Sequence, residues 1–525
     1  MRVSLTQGAY TARSVIAEAQ RAVNLYPERN PADALAPMTH YSCPGLTVLT
    51  TLNSTNAGPG RGLYAANNGS LYYVAGAGVY YVNALFQLFP IGSIAYGSTP
   101  VSMSDNGTTL VLVDGTSSGY QINLTNNVLT PISATANAPP PAGGGVYAFY
   151  GADRVDLLDG YLIFNQPGTR NLYCTYNNEI VFDALYFAAK NGFSDNLVAC
   201  IVTAREIWLI GQRTTEIWFN AGAPDFPFQI MPGPFSQHGC AAKYSIAQVD
   251  SSIFWLSQDQ AGQNVVARGK GYAASRISTH ALEAEFSTYA TVSDAIGYCY
   301  QQDGHSFYML TFPTADKTWC WDESTELWHQ RVWLDVNGVE HRHRSSCAAF
   351  AYGTNVVADW QTGQLYAFDL TNSTDAGAPM AYRRGYPHLM NDGKRVIYSR
   401  FVLDMEAATS IGTIAGSGPF PVAVSPATTP PYLAAGATPP TDQTIEVPAI
   451  LLPNAPVVYL RWSDTRGATW GQPVPQTVGA TGQYQTQTQW RRLGMARDRV
   501  FEVYGVMPGR VAINGAFVDA VPQAT

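Results

Sequence analysis

A serine inside a short, glycine-bounded motif is the first residue that could do chemistry. Gly115-Thr-Ser-Ser-Gly119 matches the G-x-S-x-G pattern in which the serine is a nucleophile. Such a serine must lie on a strained turn from a strand into a helix, beneath an oxyanion hole. The residues that follow, Tyr120-Gln-Ile-Asn-Leu124, have the composition of a strand instead. The sequence therefore favours an ordinary turn over a catalytic centre.

A second motif points to enzymes that act on sugars. Ser463-Asp-Thr-Arg-Gly-Ala-Thr-Trp470 is similar to the Asp-box of sialidases and other propellers, S-x-D-x-G-x-T-W, with Thr465 in the place of the Asp. In those enzymes the box is a structural turn remote from the chemistry. Glycoside hydrolysis commonly needs two carboxylates at a defined separation, and sialidase chemistry would need an arginine cluster as well. We interpret this single degenerate box as a turn.

The densest basic motif could also bind a metal. His341-Arg-His-Arg344 places two imidazoles on one side of any strand, and His329 could supply a third ligand. The intervening arginines disfavour a nearby cation, and the flanking Gly338 and Ser345 indicate an exposed loop or edge. We interpret the motif as a solvated basic turn that could contact a partner protein or passing DNA.

The acidic residues do not form a recognisable metal site. Asp153, Asp156 and Asp159 are spaced by three, unlike the alternate positions of a calcium loop. The acids between Trp321 and Trp328 fall where two strands would reverse, so we expect them to face water. The sequence thus predicts no catalytic, cofactor-binding or metal-binding residue, and it leaves the interface residues unassigned.

The elements that would carry these side chains are predicted to be strands. Only 13% of the 525 residues are charged, whereas Gly (47) and Pro (33) are frequent, so few amphipathic helices are expected. A hydrophobic share of 46% is enough to bury substantial cores. The length corresponds to roughly three ordinary domains or to one large repeat fold.

The net charge argues against a strong grip on nucleic acid. The formal charge is -8, whereas phosphate binding requires clustered Lys and Arg that displace counterions. If DNA contacts this protein, we expect the DNA to pass along it without binding tightly. The first residues show no signal peptide and no run is long enough to span a membrane, so synthesis in a cytoplasm and no membrane insertion are expected. The 7 cysteines include no C-x-x-C pair, which favours buried thiols.

Paired aromatic strands around tight turns are the most informative pattern. One pair is Glu206–Ile210 with Thr215–Phe219, and another is Ile253–Leu256 with Asn264–Ala267. Such hairpins start roughly every 40 to 55 residues, which is close to the repeat of four-stranded propeller blades. We predict an all-β fold with a β-propeller of about six or seven blades.

The distribution of hairpins and of polar and apolar residues along the sequence predicts three segments. Residues 1–54 lack hairpins and should form an N-terminal arm, and residues 55–394 should form the propeller body. Residues 395–525 alternate polar and apolar side chains and should form an antiparallel β-sandwich. This last segment contains a Pro/Ala-rich insertion at 411–448, which is expected to be a long loop.

The amino-acid sequences of these hairpins are similar to those of one protein family. The stretches that carry the likeness are Val23–Glu28, Pro44–Leu46, Ile217–Asn220 with Pro227-Phe228, Trp255–Asp259 with Gly262, Gly271-Tyr272, Arg276–Leu282, Gly304–Pro313 and Trp319–Asp322. They resemble the packaged-DNA stabilisation proteins of short-tailed bacteriophages, which form the tail hub or nozzle. The likeness covers most of residues 20–345 and weakens in the last 130 or so. These are packing and turn residues, so they indicate a scaffold and no reaction.

The resemblance implies a virion structural protein and no enzyme. It implies a homo-oligomer, expected to be a hexameric ring with an axial channel, located in the virion tail after synthesis in the host bacterial cytoplasm. The implied partners are the portal-adaptor protein, a tail fibre or tailspike, a needle or plug protein, and double-stranded DNA in transient passage. The ring would help to retain packaged DNA and would conduct it during ejection. No cofactor is expected.

Two other functions remain open from the sequence. One is a carbohydrate-binding or carbohydrate-active propeller that serves host attachment, and the other is a propeller interaction module of the host cell. A monomer that binds or cleaves polysaccharide would favour the first alternative. Absence of both rings and virion association would favour the second, since sheet packing alone assigns no function.

Overall fold

The fold is all-β, as predicted. The computed structural model describes residues 2–5, 9, 13, 18–34, 36–50, 58–140, 144–223, 226–259, 261–407, 456–478, 487–507 and 509–523. The predicted insertion at 411–448 lies outside these residues. Two compact units are present. The propeller unit comprises residues 47–328 and 344–368, and the sandwich unit comprises residues 1–46, 329–343 and 369–525.

The N-terminal segment consists of short strands separated by prolines. Pro27 lies in a strand, Pro31 and Pro37 bound a turn, and Pro44 separates two strands. Proline lacks a backbone donor, so it limits how far each strand can extend. The strands are β1 (Arg2–Ser4), β2 (Ala22–Val23), β3 (Leu25–Arg29), β4 (Met38–Ser42) and β5 (Gly45–Thr50).

The propeller unit begins with blades of four antiparallel strands in chain order. Each of these blades contains three consecutive hairpins, because every strand pairs with the next one along the chain. The first two blades contain β6 (Gly60–Ala65), β7 (Leu71–Ala75), β8 (Gly78–Val82), β9 (Leu88–Ser93), β10 (Ser102–Asp105), β11 (Thr109–Val113), β12 (Gly119–Asn123) and β13 (Val128–Pro131), and a short helix α1 (Ala134–Asn137) follows. The third blade contains β14 (Val155–Leu158), β15 (Tyr161–Asn165), β16 (Asn171–Thr175) and β17 (Phe182–Ala189). The fourth blade contains β18 (Leu197–Thr203), β19 (Glu206–Gly211), β20 (Thr215–Asn220) and β21 (Phe228–Ser236).

The later sheets of the propeller unit vary this pattern, because one has two short strands on the same neighbour and another includes the N-terminal strand β5. The prediction of a propeller with six or seven blades is confirmed. The fifth blade contains β22 (Gly239–Cys240), β23 (Ala247–Val249), β24 (Ser252–Gln258), β25 (Asn264–Lys270) and β26 (Ala273–Arg276), followed by α2 (His280–Phe286). The next strands are β27 (Ile296–Gln302), β28 (His305–Phe312), β29 (Lys317–Asp322), β30 (Leu327–Leu334), β31 (Glu340–Arg342), β32 (Ser345–Ala351), β33 (Thr354–Asp359) and β34 (Leu365–Asp369). Both hairpins singled out in the sequence form, with Trp208 opposite Ile217 and Trp255 opposite Ala267.

Apolar cores lie between neighbouring blades, which explains the many aromatic residues. Trp208 of β19 and Trp255 of β24 meet between the fourth and fifth blades, at a centroid distance of 6.4 Å. The propeller unit also packs its last inner strand against its first. Ser346 of β32 donates from Oγ to the carbonyl oxygen of Gly60 in β6 at 2.9 Å. Closure of this kind leaves only short outer edges, so it stabilises a fold made of small sheets.

The sandwich unit packs two sheets around one core, as predicted. Its remaining strands are β35 (Thr374–Asp375), β36 (Ala378–Pro379), β37 (Ala381–Gly385), β38 (Leu389–Met390), β39 (Val396–Ala407), β40 (Val457–Ser463), β41 (Val474–Thr477), β42 (Thr488–Arg491), β43 (Met495–Ala496), β44 (Asp498–Val506) and β45 (Val511–Pro522). One sheet has the order β3-β4-β45-β39-β42, and the other contains β2-β37-β44-β40-β41. Between them lie buried side chains such as Tyr382, Phe401, Trp490, Phe501 and Val503.

The N-terminal strands are integral parts of this sandwich. Strand β1 pairs with β45 through Arg2–Asp519 and its neighbours, and β4 pairs with β45 at His40 and Tyr41. Residues 1–46 therefore belong to the same compact unit as the C-terminal strands. The division at residues 54 and 394 stays a prediction about domains, because pairing across 470 or so residues leaves no local trace in a sequence.

Candidate functional site

Charge is unevenly distributed between the two units. The propeller unit contains 12 Lys and Arg against 22 Asp and Glu, a formal charge of -10. The sandwich unit contains 18 against 16, a formal charge of +2. The acidic balance of the whole chain therefore comes from the propeller unit. Patches of opposite sign can steer and orient association between macromolecules.

Three arginines of the sandwich unit, Arg21, Arg383 and Arg461, lie together on one side of the sheet that contains β37, β44 and β40. Tyr459 of β40 stacks on Tyr504 of β44, with ring centroids 5.5 Å apart and planes at 19°. The guanidinium of Arg461 lies 5.3 Å from the ring of Tyr504 and 4.7 Å from that of Trp470. Arg383 lies over Tyr504 from the other side, at 6.0 Å. Cation–π contacts hold the arginines flat against this surface.

Two carboxylates join the arginines into a chain of ion pairs. Arg461 donates from Nε to Glu502 at 2.8 Å. Glu340 accepts from Arg383 at 2.9 Å and from Arg21 at 3.0 Å. Desolvation, followed by the neighbouring Arg383, lowers the pKa of Arg21 from its ordinary value. We call Arg21, Arg383, Arg461, Tyr459, Tyr504 and Trp470, with Glu340 and Glu502, the arginine–tyrosine face.

The propeller unit has an acidic counterpart at the ends of its hairpins. In an antiparallel four-stranded blade, the turn after the first strand and the turn after the third strand lie at the same end. Exposed carboxylates occupy these turns. They belong to Asp159, Glu179, Asp250, Asp303 and Glu326, and we call this set the acidic turn face.

Hydrogen bonds between neighbouring blades link several of these turns. Asn220 and Arg205 of the fourth blade both donate to Asp159 of the third, at 3.0 and 2.8 Å. Gln301 of β27 donates from Nε2 to Asp250 of the fifth blade at 2.9 Å. Asp159, Asp250 and Asp303 have φ values of 49°, 51° and 49°, respectively. Asp and Asn tolerate this left-handed region better than most residues, so turn chemistry explains why acids stand here.

The G-x-S-x-G motif forms a hairpin turn, as interpreted from the sequence. Gly115-Thr-Ser-Ser-Gly119 connects β11 to β12, and no helix follows it. Asp114 accepts hydrogen bonds from the backbone and the hydroxyl of Thr116, at 3.0 and 2.6 Å. The motif therefore closes a turn between adjacent strands.

The degenerate Asp-box is also a turn, between β40 and β41. Ser463 Oγ accepts from the backbone N–H of Gly467 at 2.8 Å, and Thr465 Oγ1 accepts from that of Thr469 at 2.8 Å. Thr465 thus takes a backbone hydrogen bond within the loop, in the place that the pattern gives to Asp. The loop is held on β44 by an ion pair between Asp464 and the buried Arg499.

The structure does not bring the histidines of the basic motif together with His329. His341 lies against Trp333, with ring centroids 5.7 Å apart, and its Nε2 is 3.7 Å from Asp335. His343 is buried, with its Nε2 3.0 Å from the guanidinium of Arg331, and Arg344 is buried beside Asp359. The interpretation of the motif as a solvated turn is therefore wrong for these two residues. His329 contacts the sulfur of Cys43 at 3.6 Å. Within the described ranges, no group of three or more His, Cys, Asp and Glu could hold a metal ion.

Asp153, Asp156 and Asp159 each contact a different partner. Asp153 pairs with Lys243 at 2.6 Å, Asp156 accepts from the backbone of Val202 at 2.7 Å, and Asp159 pairs with Arg205 at 2.8 Å. Burial raises the pKa of Asp156 above its ordinary value. Each aspartate anchors a neighbouring blade or loop, so the three do not act as one site.

One buried charged cluster has no counterpart in the sequence analysis. The Nζ of Lys190 is fully buried and contacts Asp195, Thr214 and Glu216. Asp195 also accepts from the backbone of Arg213 and Thr214, at 2.7 and 3.0 Å. Hydrogen bonds to backbone and side chains satisfy these groups, so the cluster fastens the loop after β17 to the turn after β19.

Comparison with known proteins identifies the family. Residues 1–373 match the family described as "Bacteriophage P22 Gp10, beta-propeller", and residues 445–521 match "Bacteriophage P22 Gp10, beta-sandwich". The chain belongs to the bacteriophage P22 Gp10 family. The resemblance inferred from the hairpins is thereby confirmed, and the chain is a Gp10-type phage structural protein with a role as tail hub in DNA stabilisation.

Three of the solved structures that are similar to this Gp10 family member have low identity to it and low TM-scores. The N-terminal domain of Nup159 has 8% identity and a TM-score of 0.39, and it covers 66% of this chain and 98% of its own. The WD40 β-propeller domain of Doa1 has 10% identity and a TM-score of 0.39, covering 63% and 98%. BamB from Moraxella catarrhalis has 6% identity and a TM-score of 0.37, covering 70% and 96%. Among curated proteins, none matches significantly.

Membership in the Gp10 family is consistent with the expectation that the chain is no enzyme, and it implies a location in the virion tail. In the part of the chain that the structure describes, no helix is long and apolar enough to span a membrane. The sequence alone did not reveal the arginine–tyrosine face, because its arginines come from segments 78 to 440 residues apart. Two of the acidic turns, at Asp159-Gly160 and Asp303-Gly304, carry an Asp-Gly turn signature in the sequence.

Proposed function

We propose that the protein is the tail hub or nozzle below the portal-adaptor complex, where copies form a ring around an axial channel. The single observation that carries the proposal is the family match, which spans both the propeller and the sandwich. The ring would help to retain packaged DNA and would conduct it during ejection. A hexamer is the expected form, and a heterologous contact that closes by rotation is how one chain builds such a ring.

The architecture supports a role in shape and attachment. Buried aromatic cores between blades and the buried Lys190 cluster make the propeller rigid. A rigid subunit loses little conformational entropy on assembly, so more of its contact energy appears as affinity. A building block of a conduit needs this property more than it needs a reactive centre.

The charge of the propeller unit supports passage of DNA over binding of DNA. A lining rich in Lys and Arg would hold the duplex through counterion release and would slow its movement. The propeller unit has a formal charge of -10, so surfaces that it contributes to the channel would repel phosphate. Partners at the two ends would be the portal-adaptor protein and a needle or plug protein, with a tail fibre or tailspike attached outside.

The proposal is tested by imaging and by genetic depletion. Electron microscopy of the purified protein should show rings with a central opening wide enough for a duplex, about 20 Å across or more. Phage particles assembled without the protein should package DNA and then lose it. A protein that stays monomeric and binds polysaccharide, or particles that retain DNA without it, would contradict the proposal.

A further inference from the structure

We propose that the arginine–tyrosine face of one copy docks on the acidic turn face of the propeller of a second copy, in a head-to-tail contact. The inference rests on the proposed ring-forming function and names the surfaces that would build the ring. Both surfaces belong to the same chain and carry opposite charge. A contact between different surfaces of identical subunits is heterologous, and it closes into a ring when its rotation allows.

The composition of the arginine–tyrosine face is that of a protein interface. Arg, Tyr and Trp are the residue types most enriched among those that dominate binding energy. Here they form one connected surface, since Arg461 contacts both Trp470 and Tyr504, and Tyr504 stacks on Tyr459. The side chains of Arg21, Arg383 and Arg461 are 33%, 26% and 21% exposed, so their guanidiniums are held in place and remain reachable.

The ion pairs within the face leave hydrogen-bonding capacity for a partner. Three guanidiniums supply five N–H donors each, whereas Glu340, Glu502 and the side-chain oxygen of Gln330, which binds Arg21, accept only some of them. Carboxylates are the groups that a guanidinium binds best, because two parallel N–H donors match two oxygens. The face is therefore built to receive further carboxylates.

The acidic turn face supplies such carboxylates. Glu179, Asp250, Asp303 and Glu326 are exposed on these turns, and Asp159 beside them already pairs with Arg205. Hydrogen bonds between neighbouring blades hold several of the turns in place. The propeller unit that carries them has a formal charge of -10, against +2 for the sandwich unit. This complementarity favours a second copy as the occupant, because each copy offers both signs.

Nucleic acid fits the arginine–tyrosine face less well. Glu340 and Glu502 lie among its arginines, and their charges would repel phosphate groups. The face then offers a net charge of only about one, whereas phosphate binding gains from many uncompensated cations. A protein surface with spaced carboxylates can contact the arginines and avoid the two glutamates.

The first test neutralises the acidic turn face. A variant with Asp250→Asn, Asp303→Asn and Glu179→Gln changes exposed turn residues, and Asn is tolerated at the positive φ of the two aspartates. Sedimentation velocity and mass photometry of the full chain should show that the apparent dissociation constant for assembly rises about tenfold or more. Thermal unfolding of the monomer should stay unchanged.

The second test neutralises the arginine–tyrosine face and then mixes the two variants. Arg383→Gln, Arg461→Gln and Glu502→Gln are combined, so that the carboxylate of Glu502, which is 6% exposed, is not left without its cations. Each variant alone should fail to form rings. Their mixture should form dimers with one copy of each and no rings, because only one of the two possible contacts keeps both native surfaces. A matched control, Arg491→Gln with Arg492→Gln, removes two exposed arginines elsewhere and should assemble normally.

The outcomes separate this inference from the proposed function. If the wild-type protein forms no oligomer in any tested condition, the ring-forming function itself fails. If it forms rings and both variants also form them with unchanged affinity, the function stands and the assignment of these surfaces is overturned. If the arginine–tyrosine variant assembles normally but loses binding to a short DNA duplex, the face is a nucleic-acid contact and the proposal is also overturned.

Discussion

Trp208 and Trp255 lie across the junction between the fourth and fifth blades, with ring centroids 6.4 Å apart and planes at 62°. Gly269 packs against both rings. A Cβ at this position would lie 2.9 Å from Cζ3 of Trp208 and 3.2 Å from Cζ3 of Trp255. The contact between two blades therefore depends on a residue without a side chain.

Gly269→Ala should destabilise the propeller by about 1–3 kcal/mol, because the added methyl forces the indole rings apart. Chemical denaturation followed by tryptophan fluorescence measures the change. In a Trp208→Phe background the smaller ring leaves room, so the same substitution should cost clearly less there. Equal costs in both backgrounds would show that the indole contact is not the cause.

Lys190→Met should destabilise the chain by about 3–5 kcal/mol, because it leaves the buried carboxylates of Asp195 and Glu216 without their cation. The matched control is Lys190→Met with Asp195→Asn and Glu216→Gln, which removes the charges together and should recover much of the loss. The midpoint of urea denaturation reports both effects. A triple variant no more stable than the single one would contradict the assignment to buried charge.

His40 should make stability fall as the pH drops. It is buried, and neither ring nitrogen has a hydrogen-bond partner within the described residues. Desolvation, Arg384 and His329 together hold the pKa of His40 well below its ordinary value of 6.5. The folded state thus binds fewer protons than the unfolded state, so stability is complete above about 6.5 and declines below it, by up to about 1.4 kcal/mol per pH unit.

The measurement is the free energy of unfolding between pH 7.5 and 5.5, in the wild type and in His40→Leu. The wild-type curve should slope downward toward acid, and the variant curve should be flatter. Parallel curves would mean that other groups produce the slope.

Thr465→Asp restores the complete Asp-box pattern and should change stability by less than about 0.5 kcal/mol. The reason is that Thr465 Oγ1 already accepts the backbone hydrogen bond from Thr469 at 2.8 Å. Thr465→Ala removes that acceptor and should cost about 0.5–1.5 kcal/mol. Thermal unfolding of the two variants compares them directly. A large gain from Thr465→Asp would show that the threonine is a poor substitute in this turn.

Local patterns in the sequence predicted the local structure well. The turn between Gly211 and Thr215 and the hairpin around Trp255 form where alternating apolar residues and Gly-rich turns indicated them. Strand β40 begins at Val457, where the alternation of Val457–Trp462 placed it. Such features depend on residues near in sequence, so a single chain is enough to recognise them.

Features that depend on distant pairing could not be recognised in this way. Arg21 reaches Glu340 and Glu340 reaches Arg383 because separate segments become neighbours in the sandwich. The buried Lys190 cluster joins two loops whose charges look solvated in the sequence. Only the fold decides which charged side chains become neighbours and which become buried.

The pairing of β45 with β1 and β4 has a consequence for synthesis. Translation delivers the N-terminal strands first, yet their partner at residues 511–522 emerges from the ribosome only after the whole propeller has been made. Until then the edges of β1 and β4 that pair with β45 have no partner strand, and a prematurely terminated chain never acquires one. Strand β45 thus fixes the N-terminal strands in the sandwich, and a polypeptide that stops before β45 cannot complete it.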